Sequence, residues 1–178
     1  MEVTFYIAAT VAVLATIMVI TRYNMIHALL YLVVSFMAIA VVFFVLGAPF
    51  IAALEIIVYA GAIIVLIIFA IMMLNLRAES VDEERQWVTK DVVLGPAILA
   101  SVLLAEIVFI IVTSGSDSVV IAEKVVDSRA VGISLYTDYV IAVELSGILL
   151  MAGIVGAYHL GRQKKKVVHR FLEKTQDE

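Results

Sequence analysis

The chain has 178 residues, 64% of them apolar and 16% charged, with a formal net charge of −4 and no cysteine. Soluble domains are roughly half apolar, so this composition excludes an ordinary water-soluble domain. The missing cysteine excludes disulfides, thiolate-ligated iron–sulfur clusters and a cysteine nucleophile.

Five apolar runs follow one another at 3–20, 28–46, 51–74, 92–112 and 139–160. Each is close to the ~20 residues that cross a bilayer as one helix. The gaps are mostly short. The expectation is an all-α integral membrane protein, one membrane domain over 1–178, with five transmembrane helices and a polar basic tail at 161–178.

The first run reads as a retained helix and not as a cleaved leader. No Lys or Arg precedes it, the first basic residue is Arg22, and it ends in Thr21-Arg22-Tyr23-Asn24 instead of a small-residue cleavage site. Gly47-Ala48-Pro49-Phe50 reads as a tight outer turn between spans two and three, in which Pro49 stops one helix and Gly47 relaxes the other. The loop at 75–91 is charged with both signs, and its Trp87 fits an interfacial anchor. Gly95-Pro96 falls near the start of the fourth run, where a first helical turn tolerates proline.

The largest loop is 113–138. Ser114-Gly115-Ser116-Asp117-Ser118 reads as a turn, and the β-branched Val119-Val120-Ile121 and Val125-Val126 fit a short hairpin. The fifth run carries Ala152/Gly156 and Gly153/Ala157, small residues four apart that allow close helix contact. His27 and His159 fall near one membrane face. Two interfacial histidines are ordinarily incidental, and a bis-histidine haem is the weaker reading. No phosphate-binding glycine loop and no catalytic triad is present.

Five spans put the two ends on opposite sides. Ten basic residues fall on one side: Arg22, Arg77, Arg85, Lys90, Arg162, Lys164, Lys165, Lys166, Arg170 and Lys174. Two, Lys124 and Arg129, fall on the other. The positive-inside rule then sets the N-terminus outside and the C-terminus in the cytoplasm. Lys164-Lys165-Lys166 fits a topology determinant that touches lipid headgroups.

Three carboxylates lie inside the spans: Glu55, Glu106 and Glu144. Counted from the run ends at 1.5 Å per residue, all three sit about 6–9 Å below the outer boundary. A carboxylate there costs roughly 2.5–3.5 kcal/mol on insertion scales and marks a functional-site hypothesis. The plainer reading is that they snorkel outward or pair with a neighbouring subunit. Glu55 stands apart, because Tyr59 lies one helical turn later on the same face and Ala60-Gly61-Ala62 follows. Gly61 costs about 1 kcal/mol of helix propensity against Ala and marks a deformable point. A carboxylate and a phenol beside a weak helical segment suit a hydrated proton path. Span three carries no Lys or His, which argues against a complete pump within this chain and for a contributing wall or moving part.

These residues resemble those of a known family. The stretch from Leu54 to Asn75 is similar to the third transmembrane helix of the family of subunit J of bacterial NADH:quinone oxidoreductase, respiratory complex I, whose mitochondrial counterpart is subunit six. His27-Ala28-Leu29-Leu30-Tyr31-Leu32, Glu84-Arg85-Gln86-Trp87, Gly95-Pro96-Ala97-Ile98-Leu99, Ala130-Val131-Gly132-Ile133 and Ala142-Val143-Glu144-Leu145 fit in order. The resemblance covers nearly the whole chain up to about Gly161. Glu106 and the tail fall outside it.

The resemblance implies a membrane-arm subunit without a redox centre of its own. Flavin, iron–sulfur clusters and quinone belong to partner subunits. Those partners include the quinone-site subunit and small antiporter-like subunits, together with membrane lipid and no nucleic acid. It implies a π-bulge around Tyr59, Ala60 and Gly61 that acts as a conformational hinge, with Glu55, Tyr59 and Glu144 in the proton path or its coupling. The expected place is the bacterial cytoplasmic (inner) membrane. The alternative is a subunit of a related multi-subunit cation/proton antiporter or membrane-bound hydrogenase, separated from the first by whether iron–sulfur and flavin subunits co-purify. A purely structural scaffold is the third class.

Overall fold

The structure, a computed structural model, describes residues 2–74, 90–114 and 125–162. Trp87, the hairpin residues 119–121 and the basic tail from 163 onward lie outside them. The described residues are helical, with no strand among them: α1 Glu2–Thr21, α2 Met25–Val45, α3 Pro49–Leu54, a π-helix over Glu55–Ile63, α4 Ile64–Leu74, α5 Lys90–Ser114, α6 Ser128–Thr137 and α7 Val140–Gly161. Five stretches are long and apolar enough to cross a membrane: Glu2–Thr21, Met25–Val45, Pro49–Met73, Val93–Val112 and Val140–Gly161. They coincide with the five apolar runs.

The helix ends follow from local chemistry. Asn24 caps α2, its side-chain oxygen accepting from the N–H groups of Ile26 at 3.0 Å and His27 at 3.4 Å, which satisfies two donors the helix start leaves free. At the far end of α2, Gly47 takes a positive φ of 82°. Its N–H donates to Phe44 O, and the Ala48 N–H donates to Phe43 O. This glycine-closed ending uses carbonyls the last turn orphans. Pro49 then opens α3, where its missing N–H is not needed. The turn expected at Gly47-Ala48-Pro49-Phe50 is present.

Pro96 departs from expectation. Helix α5 starts at Lys90, before the apolar run, so Pro96 lies inside the helix and not in its first turn. Lacking an N–H, it leaves the carbonyl four residues earlier without a helical donor. The segment expected as loop before span five also contains a helix, α6, joined to α7 through Asp138 and Tyr139, whose N–H groups both donate to Ser134 O. Val125 and Val126 are irregular backbone, and the Val126 N–H donates to Gly47 O at 2.9 Å.

The chain divides into two compact units, Met1–Ser128 and Arg129–Glu178. In the first, α2 is central and packs on α1, on the third span and on α5. The buried residues of α1 are Thr4, Ala8, Val11 and Ala15. Those of α2 include His27, Tyr31, Val34, Ala38, Val41 and Val45. Both series alternate steps of three and four, the 3.5-residue seam of paired helices. Alanines at the seam let the backbones approach closely. Ser35 makes polar contacts across it: Thr16 Oγ1 and Ser35 Oγ are 2.9 Å apart, and Ser35 Oγ donates to Ala12 O at 3.3 Å. In the second unit, the glycines of α7 are open. A Cβ added at Gly147, Gly153 or Gly156 would meet nothing within 4 Å.

Candidate functional site

The third span is a continuous helix that changes type at Glu55. Nine residues, Glu-Ile-Ile-Val-Tyr-Ala-Gly-Ala-Ile, are π-helical. The widened turn closes at Ile64, whose N–H points to the carbonyls of both Tyr59 and Gly61, five and three residues back. A π segment inside an α-helix is rare and occurs mostly at functional sites. The expected bulge around Tyr59, Ala60 and Gly61 is therefore present, and it extends down to Glu55.

Gly61 has a local reason to be glycine. A Cβ there would lie 3.3 Å from the backbone oxygen of Ile56, the carbonyl one π-turn below. That is tighter than side chains ordinarily accept. Without the Cβ, the wide turn closes.

Glu55 opens the segment and is half-buried. No basic side chain or hydrogen bond holds it among the described residues. In an α-helix Tyr59 would stand one turn above it; bonds running from i to i+5 shift the residue above Glu55 toward Ala60. Tyr59 instead packs against α2, its ring 5.3 Å from that of Phe36 at 49°. The structure thus puts both groups on one span but does not join them by a hydrogen bond. Beside this segment, between α2, α3 and α5, runs an apolar groove of about 460 Å³ lined by residues including Met37, Phe44, Ala53, Ile56, Ile107 and Ile111. Farther along, Phe69, Met72 and Met73 are exposed.

The other two carboxylates differ sharply. Glu144 is exposed on α7 in the second unit. Glu106 is 7% exposed, and neither carboxylate oxygen has a hydrogen-bond partner among the described residues. The sequence carries the signal for this: Leu99, Leu103, Glu106 and Ile110 step by four, three and four, and Leu99, Leu103 and Ile110 all belong to the core of the first unit. Glu106 is the polar member of a core stripe.

At the opposite end of the unit, His27 is buried and stacks on Tyr31, centroids 5.0 Å apart and 25° between planes. The Arg22 guanidinium lies 5.6 Å over the same ring, within cation–π range. Gly95 of α5 lies so close to the Tyr31 hydroxyl that a Cβ would overlap it. His159 is exposed on α7. Among the described residues no group of three His, Asp or Glu is arranged to hold a metal ion.

Comparison with known proteins gives a concordant result. Residues 15–160 match the model of the family described as NADH-ubiquinone/plastoquinone oxidoreductase chain 6. The chain is 55% identical over 166 residues to NADH-quinone oxidoreductase subunit J of Pseudomonas aeruginosa, covering 93% of this chain and 99% of that one. It is 51% identical over 165 residues to the subunit J of Escherichia coli, covering 93% and 89%. Against the subunit J of Buchnera aphidicola from Schizaphis graminum it is 38% identical, covering 93% and 100%.

Proposed function

Since this chain belongs to the NADH-ubiquinone/plastoquinone oxidoreductase chain 6 family, we propose that it is a membrane-arm subunit of a proton-pumping NADH:quinone oxidoreductase, coupling quinone reduction in partner subunits to proton translocation. The electron carriers sit in those partners: flavin, iron–sulfur clusters and quinone. This chain contributes no redox step. Its spans form one membrane domain in the bacterial cytoplasmic membrane, with the N-terminus outside and the C-terminus in the cytoplasm. The partners include the quinone-site subunit and the small antiporter-like subunits.

The observation that carries the reading is the π-helix over Glu55–Ile63. A π-turn takes up residues that an α-turn would spread further along the axis. Converting one to the other rotates everything beyond by about 100° for each residue gained or lost. Rotation of α4 carries Phe69, Met72 and Met73 to new neighbours, and methionine repacks at low cost. The apolar groove at Ile56 leaves room for side chains to move at the other end. Tyr59, Ala60 and Gly61 are the hinge. Glu55, Tyr59 and Glu144 line or couple to the hydrated path, and movement of the hinge connects or breaks it.

The test is a pair of maps of the intact complex, in two catalytic states, resolving the backbone at 58–63. The expected result is a π-helix in one state and an α-helix in the other. The same π-helix in every state would remove the switch and leave a rigid structural feature.

A further inference from the structure

We infer that the groove beside Glu106 is the docking site of a partner subunit's membrane helix, which brings a lysine or arginine side chain to this carboxylate. The groove has a volume of about 600 Å³ and is lined by Val3, Thr4 and Ile7 of α1 and by Val102, Ala105, Glu106 and Phe109 of α5. Its polar residues are Glu106 and Thr4. Both residues are more than nine-tenths buried, and both occupy core-stripe positions of their helices at the same end of the unit.

A carboxylate in such a place is costly unless a cation or hydrogen-bond donors meet it. Among the described residues, none supplies either. Both oxygens lack a partner among the described residues. No Lys, Arg or His lies on α1, on α3 or on α5 after Lys90, and on α2 the sole such residue is His27, at the opposite end. Two acceptor oxygens match a donor-rich cationic head group. Glu106 itself lines the groove, so a side chain entering it meets this residue. The apolar walls at Val3, Ile7, Val102 and Phe109 suit the side-chain stem and the helix carrying it. Lipid alone would cover such walls but would leave the carboxylate unpaired in hydrocarbon. The inference rests on assembly with other membrane subunits, and not on any switching of the π-helix.

The experiment uses the intact complex with a photo-crosslinking residue in place of Phe109. The expected adduct lies on another subunit's membrane helix, within one turn of a Lys or Arg. Its yield drops several-fold when Glu106→Gln is added and recovers in part with Glu106→Asp. Native electrophoresis in rising salt reads the same contact: the Glu106→Gln complex sheds that subunit at lower salt than the parent. Three outcomes overturn the proposal: adducts to lipid only, adducts to a helix with no basic residue nearby, or a yield and salt resistance unchanged by Glu106→Gln. If Glu106→Gln prevents assembly, the comparison of parent with Glu106→Asp decides, and identical yields for the two again overturn it. If Glu106→Gln removes an infrared band of a protonated carboxyl while the crosslink stays intact, Glu106 is a neutral acid and the proposal fails.

Discussion

Gly61 stands over the carbonyl of Ile56, so close that a Cβ would come within 3.3 Å of that oxygen. In the π form, any side chain at residue 61 therefore meets that carbonyl. Valine adds a β-branch that crowds the same oxygen and stiffens χ1. Overpacking of this kind costs about 1–3 kcal/mol, and each ~1.4 kcal/mol shifts a two-state population tenfold. The expected outcome for Gly61→Val is an assembled complex with NADH:quinone turnover and proton translocation reduced several-fold, and Gly61→Ala should fall between it and the parent. Full turnover with full pumping in assembled Gly61→Val would take Gly61 out of the mechanism.

The five spans and a deformable point at Gly61 were readable because lipid imposes a length on each helix and because Glu55, Tyr59 and Gly61 sit where an anchor would carry Leu or Ile; the π-bulge itself was implied by the family resemblance. Other features were not. Helix α6 is short, holds Gly132 at its centre and carries a mixed surface, so it reads as loop. Pro96 looked terminal because apolarity begins at residue 92, while α5 begins at Lys90. Counting depth from the run ends made Glu106 one of three shallow carboxylates. Its burial depends on which face of α5 turns inward, and that is set by the neighbours Leu103 and Ile110. The stack of His27 on Tyr31 lies within α2, four residues apart, and Arg22 reaches the same ring from the link between α1 and α2; that last contact is one that periodicity within a helix does not report.

Glu55 is the carboxylate nearest the hinge, and among the described residues no cation holds it. Replacement by glutamine keeps the shape and removes the exchangeable proton. Glu55→Gln should assemble normally and lower proton translocation a few-fold relative to quinone-linked electron transfer. The measurement is the ratio of the two in proteoliposomes. An unchanged ratio in a fully assembled complex would return Glu55 to an interfacial, snorkelling role.

The orientation follows from ten basic residues against two. In sealed spheroplasts, protease added outside should leave the tail near Lys165 intact. In inverted membrane vesicles the same protease should remove it. The reverse pattern would overturn the orientation, and cleavage in both would show leaky membranes and call for a repeat with an internal control.

Gly95 and Tyr31 give the sharpest packing test. A Cβ at residue 95 would overlap the Tyr31 hydroxyl and lie 3.1 Å from the ring carbon that bears it. Tyr31 has little freedom to yield, being 4% exposed, stacked on His27 and covered by Arg22. Gly95→Ala therefore has to push α5 away from α2 or tilt the ring, at about 1–3 kcal/mol. The expected outcome is less assembled complex and a lower melting temperature, although alanine is otherwise the better helix former. Tyr31→Phe removes the overlapping oxygen but keeps the ring carbon, so Gly95→Ala combined with Tyr31→Phe should recover part of the loss. Residues in contact are non-additive in such a cycle, and distant ones add. Strict additivity of the two changes, or a neutral Gly95→Ala, would show that α5 does not meet α2 at this point in the assembled protein.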